Sequence, residues 1–350
     1  LKYRCQILFT TRSRLDGHSC MLLEEISDKT TLLQLAGKFF SDTEEKSDVI
    51  EQIIEAVHAH TLAVELASRL LETGILEPEM LLKKLLEENV ALDATDKINI
   101  INSDINVFIN CDIPFNYIFH AASNAHPKAY TDWPVETALT NIIGTKNLIE
   151  LAQRSNARLI FISSSEVYGE DLLDREFRAE KDFGYIDINT SRACYSESKR
   201  MAETLISCYI SEYGLDAIIV RPAYIYGPRF SENNTRADVE FIKNVLNGEN
   251  IVLRSEGLQK RSYCYVLDCC YATLLTALLG EKGEAYNISS DSGNVLLRDF
   301  ALILAKKCNV NVEFQLEKVS GGSPVKNSLL NNDKLKSLGW SEIFTLDSGI

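Results

Sequence analysis

The residues with the clearest chemical potential are Tyr195 and Lys199, in the segment YSESK. Residues four apart on a helix share a face, so the Lys199 ammonium is expected near the Tyr195 phenol. A free tyrosine titrates near ~10 and a nearby positive charge favours the phenolate, so the pair indicates a general base. The hydroxyl of Ser164, at the end of a predicted strand, would hold a substrate oxygen beside that phenol. The spacing alone is weak evidence, because it also occurs on solvated helix faces.

The elements that must position these residues alternate between strand and helix from about residue 98. This alternation favours an α/β fold, a Rossmann-like parallel sheet with helices on both faces. Strands are predicted at 98–102, 116–121, 158–163, 217–221 and 285–288, and long helices at 134–154, 192–213 and 235–248.

The N-terminal segment has a different pattern, so we divide the chain into domains 1–92 and 93–350. Residues 5–11 predict one buried strand, and residues 47–72 carry apolar side chains near helical spacing. Pro78 suits the first turn of a second helix.

Composition excludes some functions. The 350 residues carry a net charge of -14, which disfavours general binding to nucleic acid or to an anionic membrane surface. No apolar run approaches the ~20 residues of a membrane span, and no signal peptide or metal site is predicted. Nine cysteines without a CxxC pair are typical of free thiols in a reducing cytoplasm.

From about residue 98 onward the chain resembles the extended short-chain dehydrogenases, NAD-dependent epimerases, dehydratases and decarboxylases that act on nucleotide sugars. The motifs are HAAS at 120–123, NIIGTKNLIELA at 141–152, ISSSEVYG at 162–169, CYSESKRMAE at 194–203, VRPAYIYGPR at 220–229, GLQKRSYCYVLD at 257–268, GEAYNI at 283–288 and LKSLGW at 335–340.

The resemblance implies catalytic roles. Tyr195 would be the acid/base on a sugar hydroxyl, Lys199 would hold the nicotinamide ribose and lower the Tyr195 pKa, and Ser164 would supply the hydrogen-bonding hydroxyl. Glu166 matches the glutamate of the second proton step, and Ser165 stands where the dehydratases keep an aspartate. This pattern is more similar to the UDP-glucuronate decarboxylases than to the dTDP-glucose 4,6-dehydratases. A solvated loop carboxylate is the alternative for Glu166.

The same resemblance implies that NAD is the cofactor. Ala121, Ala122 and Ser123 match the turn that passes under the dinucleotide, where small side chains permit close approach. Asp104 matches the acidic residue near the adenine, with an ordinary strand-end aspartate as the alternative. Asn141 matches a structurally important asparagine of the family.

The expected substrate is a nucleotide sugar. Arg261 matches the arginine that holds the diphosphate, to which a guanidinium fork is suited. Arg229 is a second candidate, unless it is a surface arginine. Tyr224 replaces the asparagine or histidine common at its position, which puts substrate contacts there in question. The resemblance also implies a possible homodimer through the helix near 192–213.

The glycine-rich turn GxxGxxG of dinucleotide-binding folds is absent. The nearest match, ILFTTRSRLDG at 7–17, has arginines and a leucine at positions that need no side chain. We therefore describe the sheet as lacking its first βαβ units.

Residues 1–90 resemble another family, the NB-ARC-type STAND signalling ATPases. The likeness rests on ILFTTRS, on HAHTLAVELASRLLE and on LEPEMLLKKL, without a P-loop. An unrelated helical subdomain is the alternative.

Three hypotheses follow for the function. The first is an active NAD-dependent nucleotide-sugar enzyme, and the second is a catalytically silent fusion or fragment, joined near residue 93, that does not hold NAD. The third is a fragment of a signalling ATPase.

Overall fold

The structure, a computed structural model, divides the chain into two compact units. The first comprises Leu1–Cys5 and Ser13–Asn102, and the second comprises Gln6–Arg12 and Ser103–Ile350. The residues that the structure describes are 7–10, 29–38, 40–56, 67–68, 71, 77–87, 103–107, 113–228, 234–316 and 326–350.

The first unit is helical where it is described. Its helices are α1 (Lys29–Gly37), α2 (Ser47–Ala56) and α3 (Pro78–Glu87). A core that includes Leu32 and Ile53 joins them. The predicted helix 47–72 is confirmed over its first ten residues, and residues 57–66 lie outside the described part.

The second unit is built on a parallel sheet of five strands, which lie in the order Ile7–Thr10, Tyr117–His120, Arg158–Ile162, Ala217–Pro222 and Ala285–Ile288. The four strands predicted at 116–121, 158–163, 217–221 and 285–288 are confirmed, and 98–102 lies outside the described residues. The sheet strands are β1 (Ile7–Thr10), β2 (Tyr117–His120), β3 (Arg158–Ile162), β4 (Ala217–Pro222) and β8 (Ala285–Ile288).

Strand β1 corrects the sequence-based division of the chain. We assigned it to the N-terminal domain, but Ile7–Thr10 pairs in parallel with Tyr117–His120 and belongs to the second unit. The sheet of the second unit therefore includes Ile7–Thr10. An unpaired β2 edge would leave backbone donors and acceptors open, and β1 satisfies them. Such a pairing joins segments more than a hundred residues apart, which local patterns do not reveal.

Helices cover both faces of the sheet. Successive side chains of a strand point to opposite faces, so each strand contributes to two cores. Ile118 and Leu159 face one core with the helices Thr145–Ser155 and Ala193–Tyr213, whereas Phe119 and Ile160 face another with the helix Val266–Leu279. The helices of the second unit are α4 (Pro127–Asp132), α5 (Pro134–Leu139), α6 (Thr145–Ser155), α7 (Ala193–Tyr213), α8 (Ala237–Leu246), α9 (Val266–Leu279), α10 (Leu297–Cys308), α11 (Asp333–Lys336) and α12 (Leu346–Gly349).

The predicted helix 134–154 is confirmed with one interruption. A π-helical turn at Thr140–Gly144 separates α5 from α6. Such turns are often found at functional sites. Here the turn carries Asn141, whose amide nitrogen donates to Ser198 Oγ on α7 at 2.9 Å. The turn therefore connects α7 to the rest of the unit.

A smaller part of the second unit packs around Tyr263 and Phe300, whose ring centroids lie 4.4 Å apart. Most of its strands have only two or three residues, too few for a periodicity argument, and they were not predicted from the sequence. They are β5 (Tyr224–Tyr226), β6 (Ile251–Leu253), β7 (Lys260–Tyr265), β9 (Asn294–Leu296), β10 (Val312–Phe314) and β11 (Asn327–Ser328).

Across the described part of the chain, no helix has the length and apolarity that crossing a membrane requires.

Candidate active site

Tyr195 and Lys199 lie together on the buried face of α7, as the spacing predicts. Tyr195 is 4% exposed and Lys199 is 1% exposed. Lys199 Nζ donates to Ile162 O at 2.7 Å, and it lies 5.9 Å from the centroid of the Tyr195 ring. Ile162 ends β3, and ligands of parallel sheets bind outside the carboxyl ends of the strands. The pair therefore stands where a ligand of this fold would bind.

The protonation of this pair differs from the expectation. Burial raises the pKa of Tyr195 to about 12, although a hydrogen bond with Ser164 acts in the opposite direction. Burial also lowers the pKa of Lys199 to about 7, opposed by the carboxylate of Glu203. We expected Lys199 to lower the Tyr195 pKa. In this structure desolvation is the larger effect, because both side chains are sealed from water.

Ser164 follows β3 and caps the short 3-10 helix Ser165–Tyr168. Its backbone is extended, with φ of -161°, and its Oγ accepts from Glu166 N at 3.2 Å. The helix ends at Gly169, whose φ of 65° suits glycine. A Cβ there would lie 2.3 Å from Tyr185 O. This turn brings Ser164 beside Tyr195 and presents Ser165 and Glu166 to a cavity.

Glu166 is held by α7 rather than left in solvent. Arg192 Nη2 donates to its two carboxylate oxygens at 2.8 and 2.9 Å, and Ser196 Oγ donates to Oε2 at 3.2 Å. Burial would lower the pKa of Arg192, but Glu166 outweighs burial and the pKa is raised. The sequence analysis missed Arg192, although its position three residues before Tyr195 was a signal.

Tyr130 is a second residue that the sequence analysis missed. Its ring stacks on Tyr195 with centroids 4.6 Å apart and an interplanar angle of 21°. The Arg192 guanidinium carbon lies 4.6 Å from the Tyr130 centroid. Burial raises the pKa of Tyr130 well above its usual value. No local pattern links α4 to α7, so only the tertiary structure reveals this contact.

A cavity of roughly 410 Å³ opens beside these groups. Ser165, Glu166, Arg192 and Tyr224 are among the described residues that line it, whereas Tyr195 is not. The size is that of a small-molecule pocket. Glu166 and Arg192 therefore face the space that a ligand would enter, and Tyr195 lies behind them.

Of the residues expected to bind substrate, some line the cavity and others do not. Arg261 is 5% exposed, donates to Lys260 O at 2.9 Å and has its guanidinium carbon 5.1 Å from the Tyr224 ring centroid. Tyr224 lines the cavity, but Arg261 is not among the described lining residues. Arg229 lies outside the described residues.

The expected cofactor residues follow the carboxyl end of β2. Ala122 is buried, Ser123 is half-buried and Ala121 is exposed. All three have small side chains at the same sheet edge as Ser164, because β2 and β3 are in parallel register. Asp104 is exposed and its carboxylate accepts from Asn106 N at 2.9 Å, so it closes a local turn. Asn141 connects to α7, as described above.

A buried polar network supports the carboxyl ends of β3 and β4. Arg221 donates to Glu203 Oε1 at 3.0 Å and to Oε2 at 2.6 Å, and Ser163 Oγ donates to Glu203 Oε1 at 2.5 Å. Arg221 also donates to Tyr168 Oη at 2.9 Å. The network joins the helix that carries Lys199 to the turn that carries Ser164.

Comparisons with known proteins agree with this architecture. A model of the NAD dependent epimerase/dehydratase family matches residues 37–289. UDP-glucuronic acid decarboxylase 5 of Arabidopsis thaliana is 32% identical over 238 residues, which cover 68% of this chain and 69% of that protein. UDP-glucuronic acid decarboxylase 1 of Xenopus tropicalis is 30% identical over 239 residues, covering 68% of this chain and 56% of that protein.

Two solved structures share the fold. The UDP-glucose 4-epimerase of Thermotoga maritima, solved with UDP-glucose, superposes with a TM-score of 0.61 at 26% identity and covers 67% of this chain and 74% of its own. The dTDP-glucose 4,6-dehydratase of Streptomyces venezuelae, solved with NAD, has a TM-score of 0.62 at 23% identity. It covers 75% of this chain and 80% of its own. The family model reaches into residues 37–90, and the comparisons give no support to the NB-ARC interpretation of that segment.

Proposed function

Because the chain belongs to the NAD dependent epimerase/dehydratase family, we propose that it modifies a nucleotide sugar through transient oxidation of a sugar hydroxyl. The observation that carries the proposal is the grouping of Ser164, Tyr195 and Lys199 at the carboxyl ends of the sheet strands. The adjoining cavity, lined by Glu166, has the size of a small-ligand pocket.

The residues near the sheet edge fit NAD at its nicotinamide end. Lys199 and Tyr195 would hold the ribose, and the small side chains of Ala121, Ala122 and Ser123 permit the close approach of a dinucleotide. NAD, when bound, would accept the hydride from the sugar carbon and return it to the ketone, so that the net reaction is redox-neutral. The segment after β1 lies outside the described residues, and its sequence lacks the usual glycines.

Tyr195 and Ser164 would handle the first proton. Ser164 holds the sugar hydroxyl, and Tyr195 takes its proton and later returns it. With a pKa of about 12, Tyr195 is protonated at neutral pH, which suits the return step. Taking a proton requires positive charge near the phenol, and Lys199 on the same helix face supplies it when protonated.

For the net reaction we propose decarboxylation of a uronic acid. The Ser165–Glu166 pair supports this choice, and so do relatives named as UDP-glucuronic acid decarboxylases. A ketone next to the carbon that bears the carboxylate makes loss of CO2 easy, and a proton must then reach that carbon. Glu166, which faces the cavity, would serve this second step.

The test is binding and turnover by the purified chain. We expect saturable NAD binding in a calorimetric titration, no comparable ATP binding, and conversion of UDP-glucuronate to a UDP-pentose and CO2. UDP-glucose and dTDP-glucose are tested as alternative substrates. If the chain turns them over instead, the proposed net reaction becomes epimerisation or dehydration rather than decarboxylation. A folded chain that binds no NAD would establish the catalytically silent alternative.

The oligomeric state belongs to the same proposal. A homodimer through α7 is expected by resemblance, and Met201 is exposed on that helix. Light scattering after size-exclusion chromatography would give twice the chain mass of 39.3 kDa if the proposal holds.

A further inference from the structure

Arg192 immediately precedes α7 and forms an ion pair with Glu166. A single nitrogen, Nη2, lies 2.8 and 2.9 Å from the two carboxylate oxygens, and Ser196 Oγ approaches Oε2 at 3.2 Å. Both oxygens of Glu166 are thus engaged by groups at the start of α7. A carboxylate held in this way has few orientations left, which is what a proton-transfer group needs.

The same guanidinium also packs against the tyrosine side of the site. Its central carbon lies 4.6 Å from the Tyr130 centroid, and the Tyr130 ring lies 4.6 Å from that of Tyr195 at an angle of 21°. Arg192 and Tyr195 therefore both contact the ring of Tyr130. Planar guanidinium groups favour aromatic faces, whereas a lysine ammonium has no plane to stack.

We propose that Arg192 is a positioning residue that aligns both proton-carrying groups, Glu166 through the ion pair and Tyr195 through the ring of Tyr130. The inference rests on the proposed function for its catalytic meaning, but not for its geometry. Arg192 and Glu166 have side chains that are 37% and 27% exposed, so their ion pair contributes little to folding. Its contribution is to orientation.

Other charged and titratable groups surround Glu166, but the ion pair distinguishes Arg192. Tyr224 approaches from β5, and Glu170, Arg178 and Asp187 line the same cavity. Among the described residues, Glu166 forms its ion pair with Arg192. Arg178 pairs instead with Asp171, at 3.5 Å. Removal of Arg192 should therefore release Glu166, and Arg178 should not take the place of Arg192 because it pairs with Asp171.

The rival interpretation is that Arg192 binds substrate, since it lines the cavity. Steady-state kinetics separate the two. Loss of a positioning residue lowers kcat, whereas loss of a substrate contact raises KM with kcat unchanged. For Arg192→Met with UDP-glucuronate we expect kcat to fall about 100-fold, as a small misplacement of a reacting group can cause, with KM little changed.

Chemical rescue sharpens the kinetic arm. Arg192→Ala leaves space for a guanidinium ion, and millimolar guanidinium should restore part of kcat. The Arg192→Lys variant keeps the positive charge but not the planar guanidinium group, so its kcat should be lower than that of Arg192→Ala with guanidinium. Arg154→Met, at an exposed arginine of α6, is the matched control and should behave as wild type. A raised KM with unchanged kcat, or a variant as active as wild type, would overturn the proposal.

A second arm needs no turnover. In protein labelled with ring-carbon-13 tyrosine, the Tyr130 and Tyr195 signals can be assigned with the two Tyr→Phe variants. Because stacked rings shift one another's resonances, we expect both signals to move in Arg192→Met while that of the exposed Tyr213 stays in place. Unmoved signals would refute the tyrosine half. If wild type has no turnover, the proposed function fails, and this arm still tests whether Arg192 holds the rings of Tyr130 and Tyr195.

Discussion

The two sides of the candidate site, one around Tyr195 and one around Glu166, are built differently. Tyr195 and Lys199 are buried side chains of α7, at 4% and 1% exposure, and desolvation shifts both of their pKa values. Glu166 and Arg192 lie in the wall of the cavity, with side chains 27% and 37% exposed. The buried side depends on its environment for protonation, and the open side depends on an ion pair for orientation. Substitutions on the two sides should therefore have different effects on turnover and stability.

The largest expected effect is on the buried side. Tyr195→Phe removes the phenol but keeps the ring that stacks on Tyr130, so folding should survive while turnover falls about 1,000-fold or more, within the range of a lost general acid–base. Initial rates and a thermal melt measure both. Tyr213→Phe, at the exposed end of the same helix, should leave both unchanged. A Tyr195→Phe enzyme with near-normal rates would remove Tyr195 from the mechanism.

The next effect is on folding. Arg221→Met leaves the buried Glu203 carboxylate without its cation, which should lower the free energy of unfolding by about 3–5 kcal/mol. Urea denaturation measures the change. The double variant Glu203→Gln with Arg221→Met should recover much of the loss, because no uncompensated charge remains. A loss from Arg221→Met below about 1 kcal/mol, the scale of exposed pairs, would show that water reaches this network.

On the open side, Glu166→Gln should lower kcat about 100-fold with only a small change in the melting temperature, since the group that it replaces carries a proton rather than supporting the fold. Single-turnover measurements that follow the sugar hydride would locate the loss. We expect oxidation to proceed and product formation to stall. If oxidation itself is slowed to the same degree, Glu166 does not serve a separate second step.

A pH series tests the burial of Lys199. Its folded pKa of about 7 lies below the unfolded value near ~10.4, so the unfolded state binds more protons between these pH values. The stability contribution is therefore lost as pH falls toward 7 and recovered as pH rises. Between pH 7 and 9.5 the free energy of unfolding of wild type should rise relative to that of Lys199→Met. Parallel urea-derived curves would contradict this, and Lys306→Met at an exposed position is the control.

The smallest effect is expected at an ion pair outside both regions. Glu197 and Arg200 pair at 3.2 Å on α7, with side chains 36% and 24% exposed. Glu197→Gln should cost less than about 0.5 kcal/mol and leave turnover unchanged. A large loss of rate would mean that α7 transmits surface changes to the site, and the contrast between the two regions would need revision.

The sequence by itself determined what depends on local spacing. The four-residue interval placed Tyr195 and Lys199 on one helix face, and the alternating apolar runs located four sheet strands within a residue or so at each end. The position of Ser164 after β3 likewise followed from a strand pattern. These inferences hold because backbone geometry sets the helix and strand periodicities, which can be recognised over ten residues or fewer.

Only the tertiary structure decided which distant segments meet. It placed β1 beside β2, brought Tyr130 of α4 onto Tyr195, and paired Arg192 with Glu166. It also reversed the expected direction of the Tyr195 pKa, because the four-residue spacing gives proximity but says nothing of burial. Desolvation depends on how many atoms from other elements surround a group, and that is a property of the assembled fold rather than of any local pattern.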